Sequence, residues 1–360
     1  MTKTSLLLVG KGPPDSGGIS SMLSTLEREL SDRYAVELLN LTLEAEYRAG
    51  VLSSSNISRT LADVGRVVRT AGRFDVVYLH SSFVPAVTLI RAALLLGAAR
   101  LRGSATVLHI HGGNLPEWTN RAWKRLLIRA ALLTATEVIS VSDGITDALN
   151  VPGTHTIYNG VDTHTFKPDP GRNEDEPVIV FAGILTRRKG VVDLIEASHL
   201  LLSRGVRHRL VIVGGRPDEG IEEEDLVRQA ATGPEVLVGA VPHDEMATYL
   251  NHADVFCLPS WFEAMPLSIL EALASGLPVV ATRVGQIPLV VDDSVGRLVA
   301  PQDPTALADA LEGLLTDDEL RKHLSQNARQ RALDEHSLER TIAEIDAVVA
   351  GAAGHPPTNS

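Results

Sequence analysis

Two glutamates eight positions apart, Glu263 and Glu271, are the residues whose type and spacing most suggest chemistry in this chain. Pro266 suits the first turn of a helix, and Gly276 suits the position just after its last residue. Glu263 is therefore expected in the loop that precedes the helix, and Glu271 within the helix itself. An arbitrary pair at this spacing would be explained by a helix cap and a surface salt bridge. The surrounding sequence therefore has to decide whether the two glutamates are structural or functional.

Short apolar segments flank the predicted helix, at 254–258 and 278–281, and both are typical of buried strands. The helix would begin near Met265, Pro266 and Leu267, where unpaired backbone N–H groups and the helix dipole favour an anion. A carboxylate on each side of an anion site suits a ligand with phosphates in the middle and hydroxyl groups at both ends. A nucleotide sugar has this composition.

The segment reads P-S-W-F-E from Pro259, then P-L-S-I-L-E-A-L-A-S-G-L-P-V-V-A-T from Pro266. It resembles the retaining glycosyltransferases of family 4, which have the GT-B fold, and the match continues through Pro288. The resemblance covers most of the C-terminal half and, more weakly, the N-terminal half. It implies that Glu263 binds the transferred sugar and offsets positive charge at its anomeric carbon, and that Glu271 holds the ribose hydroxyls.

A basic segment follows the first strand of the second half, at 181–190. In the family this segment reads G-R-x…K-G, and its two cations hold the donor diphosphate. Gly183 and Lys189 match that pattern, whereas Ile184 stands where the family has arginine. We expect Arg188, or its neighbour Arg187, to supply the second cation, although a basic run is often only a solvated surface.

A glycine loop follows the first strand of the chain, and Gly17 and Gly18 precede a predicted helix. Such a loop lets backbone approach a phosphate, but an ordinary tight turn would look the same. It is neither the dinucleotide fingerprint nor a P-loop. The resemblance implies that these two glycines lie close to the donor diphosphate.

Two histidines, His109 and His111, end a predicted strand and point to the same side of it. A histidine pair suggests a metal, but no acidic residue or cysteine is near in sequence, and we predict no metal site. The resemblance implies that His111 reaches the transferred sugar. His80, at the end of the preceding strand, is a weaker candidate.

The predicted helix near 121–134 carries Arg121, Arg125 and Arg129 at intervals of four residues. This basic face is either an ordinary solvated surface or a site of peripheral membrane contact. Residues 1–168 hold 17 basic and 14 acidic residues, although the whole chain has a net charge of −12. The acidic total argues against a nucleic-acid partner. The single cysteine, Cys257, together with the lack of an evident signal peptide, predicts a cytoplasmic protein. The basic face adds the alternative of a location at the inner face of the membrane.

Short apolar strands alternate with helical patterns in both halves, which predicts an α/β protein with two doubly wound, Rossmann-like domains. The Pro- and Gly-rich segment 167–177 is the expected linker. The predicted divisions are 1–168 for an acceptor-side domain, 169–335 for a nucleotide-sugar-binding domain, 336–350 for a helix returning to the first domain, and 351–360 for a disordered tail. The GT-B resemblance implies that the two domains face each other across a cleft.

Together with these observations, the resemblance implies a retaining hexosyltransferase that uses a nucleotide-diphosphate sugar and a glycan, lipid-linked or small-molecule acceptor in polysaccharide or glycoconjugate biosynthesis. The chain has no D-x-D motif, and with the resemblance this predicts transfer without a metal or other cofactor. Two alternatives stay open. One is a partner subunit without turnover, suggested by Ile184, and the other is a nucleotide-sugar epimerase.

Overall fold

The computed structural model describes residues 3–13, 18–41, 54–112, 115–169, 176–215, 221–263 and 265–354. The chain divides into two compact units. One comprises residues 1–158 together with 340–360, and the other comprises residues 159–339. Each contains a parallel six-stranded sheet, so the predicted α/β class with two Rossmann-like domains is confirmed.

The first unit alternates strands and helices along the chain. Its elements are β1 (Ser5–Gly10), α1 (Gly18–Leu30), β2 (Ala35–Asn40), α2 (Ser54–Thr70), β3 (Val76–Ser81), α3 (Ala86–Leu101), β4 (Ala105–Ile110), α4 (Leu115–Trp118), α5 (Ala122–Leu132), β5 (Glu137–Ser140), α6 (Asp143–Leu149) and β6 (Thr154–Thr156). The sheet order is β2-β1-β3-β4-β5-β6. Strand β1 is almost wholly buried, as expected for a strand covered on both faces.

The second unit repeats this alternation. Its elements are β7 (Val178–Ala182), α7 (Val191–Ser203), β8 (Arg209–Val213), α8 (Ile221–Ala230), β9 (Val236–Gly239), α9 (Met246–Asn251), β10 (Val255–Leu258), α10 (Leu267–Ala274), β11 (Val279–Thr282), α11 (Ile287–Val290), β12 (Gly296–Val299), α12 (Pro304–Thr316) and α13 (Asp318–Glu335). The order β12-β11-β10-β7-β8-β9 reverses direction between β7 and β10. Such a reversal is where doubly wound sheets bind ligands, outside the carboxyl ends of the strands.

The boundary between the units lies at 158/159, ten residues before the predicted one. The segment after Asn159 belongs to the second unit because Val161 forms a β-bridge with Ser337, two residues beyond the end of α13. Arg329 adds hydrogen bonds from its guanidinium to the carbonyls of Thr163 and Phe166. These contacts make residues 159–166 part of the second unit.

The last helix, α14 (Leu338–Ala352), belongs from Arg340 onward to the first unit. Asp346 on this helix accepts hydrogen bonds from Arg33 at 2.5 Å and from Tyr34 at 2.6 Å. The helix extends two residues into the segment predicted to be a tail, and 355–360 lie outside the described residues. No helix in the described part of the chain is long and apolar enough to cross a membrane.

Candidate functional site

The predicted catalytic pair of the second unit lies where its sheet order reverses. Lys189 follows β7 and Glu263 follows β10, and these two strands are hydrogen-bonded neighbours. The Nζ atom of Lys189 donates to the Oε1 atom of Glu263 at 2.5 Å. The Lys189 side chain is 17% exposed and that of Glu263 is 10% exposed. Two residues 74 positions apart in sequence therefore form one largely buried ion pair at the carboxyl edge of the sheet.

Ser260 completes the environment of the Glu263 carboxylate. Its hydroxyl donates to the same Oε1 atom at 2.8 Å. The Ser260 carbonyl in turn accepts a hydrogen bond from the hydroxyl of Thr282, at the end of β11. Glu263 is thus held by a serine and a lysine at once.

Gly190 brings the loop that carries Lys189 against the loop that carries Glu263. Its φ of +70° lies in the left-handed region, and a Cβ there would come within 2.0 Å of the Pro259 carbonyl oxygen. Only glycine accommodates both conditions. The close approach of the two loops therefore depends on this residue.

Trp261 joins the same two loops by hydrogen bonds. Its indole Nε1 donates to the Oδ2 atom of Asp193, in the first turn of α7, at 2.6 Å. Its backbone N–H donates to the carbonyl of Arg188 at 2.8 Å. Burial raises the pKa of the Asp193 carboxyl, and the hydrogen bond from Trp261 opposes that shift. We call these two bonds the Trp261 clasp.

The predicted anion site is the start of α10. Pro266 is the N-cap residue, one position before the helix, so the expectation that it lies in the first turn was wrong by one residue. Pro266, as the N-cap residue, has no side chain that could accept a hydrogen bond from the first turn. Met265 and Pro266 are buried, and Leu267 is half-buried. Gly276 follows the last turn with φ of +73°, as its predicted position after the helix requires.

Glu271 lies inside α10, as predicted, and its side chain is 10% exposed. Its partner is His243, whose Nε2 is 2.9 Å from the Glu271 Oε1 atom. The His243 ring also contacts Phe166 edge to face, with ring centroids 5.5 Å apart. A more exposed histidine, at 59%, therefore covers the carboxylate that the resemblance assigns to ribose.

The other predicted donor residues of the second unit lie at the end of β7. Gly183 donates its N–H to the Val213 carbonyl. The Gly183 carbonyl oxygen would lie 1.8 Å from a Cβ placed on Gly214. The Arg188 side chain is exposed. Gly183 is thus packed against the neighbouring strand end, while Arg188 reaches into solvent.

Three histidines converge in the first unit, at the carboxyl ends of β3 and β4. His80 and His109 are directly opposite each other in the parallel ladder, and His111 follows two residues beyond His109. The rings of His109 and His111 stack with centroids 4.2 Å apart, so the predicted common side is confirmed. His80 Nδ1 lies 3.0 Å from His111 Nε2, and His109 Nδ1 lies 2.8 Å from the Tyr78 hydroxyl.

Burial keeps these imidazoles neutral. It lowers the pKa of His111 to about 4 and lowers the pKa of His80 and His109 well below the usual value. Repulsion from neighbouring imidazolium charge acts in the same direction for His80 and His109. Neutral rings can accept or donate a hydrogen bond and can ligate a metal.

The glycine loop of the first unit is described only in part. Gly18 begins α1, whereas Gly17 lies outside the described residues. Gly112, directly after His111, is required sterically, because a Cβ there would meet the Ser82 carbonyl oxygen at 1.9 Å. The strand end that carries His111 is thereby pressed against the strand end that carries His80.

The predicted basic helix is α5, with Arg121 as its N-cap residue. Arg121, Arg125 and Arg129 are exposed, and so are Trp123 at 54% and Leu126 at 70%. The helix therefore presents apolar and basic side chains to solvent together.

Four residues of these sites were missed in the sequence: Asp193, His243, Ser260 and Trp261. The last two lie inside the motif, but nothing in their types marks them as partners of a glutamate or an aspartate. Asp193 and His243 are distant in sequence from the residues they contact, so only the folded register shows them.

Two protein families match this chain, one in each half. The family described as "Glycosyl transferases group 1" matches residues 162–331, and the one described as "Glycosyltransferase Family 4" matches residues 16–165. The chain is 33% identical over 230 residues to the MMP alpha-(1->4)-mannosyltransferase of Mycolicibacterium hassiacum. That match covers 62% of this chain and 55% of the relative, so the chain spans about half the length of this curated protein.

Solved structures agree with the fold over nearly the whole chain. A sucrose-phosphate synthase from Thermosynechococcus elongatus aligns with a TM-score of 0.78 at 21% identity, covering 96% of this chain and 98% of that one. Anabaena HepE in complex with UDP-glucose aligns with a TM-score of 0.75 at 20% identity, covering 96% and 99%. At these identities the likeness establishes the GT-B fold.

Proposed function

Because the chain belongs to the group 1 glycosyltransferases of family 4, we propose that it transfers a hexose-type sugar from a nucleotide-diphosphate sugar to a hydroxyl acceptor. The acceptor is a glycan, a glycolipid or a small molecule, and the reaction serves polysaccharide or glycoconjugate biosynthesis. The observation that carries the proposal is the contact between Lys189 and Glu263 at the reversal point of the second sheet. The mannosyltransferase relative and the UDP-glucose complex of HepE support the reaction class and the donor class.

The donor diphosphate is assigned to Lys189, Arg188 and the start of α10. Two cations and a helix N-terminus whose N-cap residue, Pro266, accepts no hydrogen bond through its side chain would provide fixed positive potential for the charge that develops on the leaving nucleoside diphosphate. In this proposal the Lys189 ammonium leaves Glu263 for a phosphate oxygen. Glu271 accepts hydrogen bonds from the ribose hydroxyls, which compete with His243 for the same carboxylate.

The proposed transfer retains the configuration at the anomeric carbon and needs no metal or other cofactor. The bond from the anomeric carbon to the phosphate oxygen breaks, the acceptor oxygen bonds to the same face, and the acceptor proton passes to the departing phosphate. Glu263, freed from Lys189, binds sugar hydroxyls and offsets positive charge at the anomeric carbon. We assign His111 to the transferred sugar on the family resemblance, with a neutral ring that suits hydrogen bonding to a hydroxyl.

We also propose that the first unit contacts an anionic membrane surface, where a lipid-linked acceptor would be found. Trp123 and Leu126 are exposed apolar residues on α5, among Arg121, Arg125 and Arg129. The helices α2 and α3, which pack side by side as α3 and α5 do, also carry exposed apolar residues: Ile57, Leu61, Val68, Ile90, Leu94 and Leu101. Residues 54–136 hold 11 basic and 3 acidic residues. This net positive charge would attract the negatively charged headgroups of the membrane.

The test of the transferase is donor turnover in the presence of EDTA, using UDP-, GDP-, ADP- and dTDP-sugars. We expect one donor to be turned over by the wild type and by Glu196→Gln, an exposed carboxylate on α7, and loss of turnover in Glu263→Gln. Nucleotide binding, read as thermal stabilisation, should persist in Glu263→Gln. If no nucleotide stabilises the wild type, the transferase proposal is wrong and the partner-subunit alternative gains; if Glu263→Gln turns over normally, the assignment of Glu263 is wrong.

The membrane proposal is tested separately by flotation with phosphatidylglycerol-containing vesicles and with pure phosphatidylcholine vesicles. We expect binding to the anionic vesicles only, reduced in Trp123→Ser/Leu126→Ser. Leu289→Ser, which removes an apolar side chain of the second unit that is as exposed as Trp123, is the matched control. Equal flotation of the double variant and the wild type would remove this surface as the contact.

A further inference from the structure

The three histidines of the first unit form a cluster with the donor chemistry of a metal site, although the sequence predicted none. One ring nitrogen from each of His80, His109 and His111 lies within 4.8 Å of those of the other two. The sequence pattern showed only the pair on β4, because His80 comes from the neighbouring strand. Among the described residues, these histidines are the three metal-ligating side chains that the fold brings together.

Two of the ring nitrogens in the cluster are buried without a hydrogen-bond partner among the described residues. These are Nε2 of His80 and Nε2 of His109, in side chains that are 5% and 1% exposed. A buried polar atom left without a partner costs roughly 1–3 kcal/mol, so such atoms are usually satisfied by something. A metal ion uses the lone pair of an imidazole nitrogen directly.

Tyr78 occupies the position of an outer-shell partner. Its hydroxyl is 2.8 Å from Nδ1 of His109, and the two rings are nearly parallel. If Nδ1 carries the proton and donates to the tyrosine oxygen, the lone pair of Nε2 is available to a metal. Fixing a ligand histidine through its other nitrogen is the usual arrangement in metal sites.

The geometry points to a site for one divalent transition ion such as Zn²⁺, held by His80, His109 and His111. We infer that this ion is not the agent of sugar transfer, since the proposed reaction uses Lys189 and Glu263 of the other unit. A tetrahedral zinc ion places ligand nitrogens about 3.4 Å apart, and one nitrogen of each ring already lies within 4.8 Å of the other two. Binding breaks the hydrogen bond between His80 Nδ1 and His111 Nε2, so that each of the two rings offers a lone pair to the ion. His111 is only half-buried, which gives the ion a path to the buried pair.

Binding is measured on the full chain after treatment with EDTA and removal of the chelator. Titration with Zn²⁺ by calorimetry should show one saturable site, and Co²⁺ should give the intense visible absorption of a tetrahedral ion. Each of His80→Gln, His109→Gln and His111→Gln should weaken Zn²⁺ binding at least tenfold. Tyr78→Phe should weaken it by about tenfold, as loss of an outer-shell partner does elsewhere.

The matched controls are His155→Gln and His199→Gln, which remove partly exposed histidines that each pair with one glutamate. They should leave Zn²⁺ binding unchanged. Circular dichroism and urea unfolding identify a variant that does not fold, and His111→Gln, at the half-buried edge of the cluster, then decides the matter. Absence of saturable binding to the wild type, or equal loss in the control variants, would overturn the site.

Inhibition adds a readout that rests on the proposed function. If His111 contacts the transferred sugar, Zn²⁺ on its ring nitrogen should abolish turnover, and EDTA should restore it. Zinc bound without inhibition would remove His111 from the reaction and leave the metal site standing. If the protein binds Zn²⁺ but turns over no donor, the metal site stands and only the transferase proposal fails.

Discussion

The Trp261 clasp can be tested by replacing Trp261 with Phe, which keeps an aromatic ring and removes the indole N–H. The lost bond joins Nε1 to a carboxylate oxygen of Asp193 at 2.6 Å. Hydrogen bonds to charged groups contribute about 1.5–3 kcal/mol to stability. Asp193 is half-buried, so water replaces the indole only in part. We therefore expect a loss of about 2 kcal/mol in the free energy of unfolding of the second unit.

Thermal and urea unfolding measure that loss. For a unit of this size, 1 kcal/mol corresponds to about 2–4 °C, so Tm should fall by about 4–8 °C. Asp193→Asn, which keeps an oxygen that accepts from the indole, should lose less than Asp193→Ala. The double variant Trp261→Phe/Asp193→Ala should lose less than the sum of the two single variants, because both remove the same bond.

The bond itself can be observed without any substrate. The chain has three tryptophans, so a ¹H–¹⁵N spectrum of the indole groups contains three signals, one of which disappears in Trp261→Phe. That signal should exchange slowly with solvent and shift in Asp193→Ala. A Trp261→Phe variant within about 0.5 kcal/mol of the wild type, or strict additivity in the double variant, would refute the clasp.

Three further outcomes follow from the same contacts. Lys189→Met should destabilise the second unit by about 2–3 kcal/mol in urea unfolding, because it leaves the Glu263 carboxylate largely buried without its cation, and Glu263→Gln should cost less. Gly190→Ala should cost about 1–3 kcal/mol and weaken nucleotide-dependent stabilisation, since its φ and the Pro259 carbonyl both exclude a side chain. Burial lowers the pKa of His208, so stability should decline as pH falls below about 6.5, with a flatter profile in His208→Gln.

The sign of the pH effect follows from proton binding. The unfolded chain protonates His208 near pH 6.5. In the folded protein burial lowers the pKa of His208, and the hydrogen bond to the Val206 carbonyl only partly opposes that shift, so the ring is protonated at a lower pH. Between those two pKa values the unfolded state binds more protons and is favoured by acid. Stability that rises on acidification in this window would contradict the assignment.

The helix around Glu271 could be predicted from the sequence because its signals are local. Pro266 and Gly276 bracket it, and both act through their own backbone angles, so the helix ends could be placed to within one residue. The strand β7 is equally local, since a run of apolar residues is typical of a strand buried on both faces.

The partners of the site residues could not be predicted in the same way. His243 reaches Glu271 across 28 positions, and Asp193 reaches Trp261 across 68. Neither lies in a motif, and each contact depends on how neighbouring strands and helices are ordered in the sheet. The unit boundary shows the same limit, because the hydrogen bonds that tie residues 159–166 to α13 leave no mark on their composition.

The histidine cluster shows how sheet register creates chemistry that a single strand does not contain. A period of two residues puts His109 and His111 on one face of β4, which the sequence gives directly. The third ligand depends on β3 being the neighbour of β4 and on a register that sets His80 opposite His109. A shift of one residue would turn His80 to the other face and leave a pair. One step of register therefore separates a metal site of three histidines from a stacked pair of core histidines. Zn²⁺ titration of His80→Gln tests whether the third histidine is a ligand.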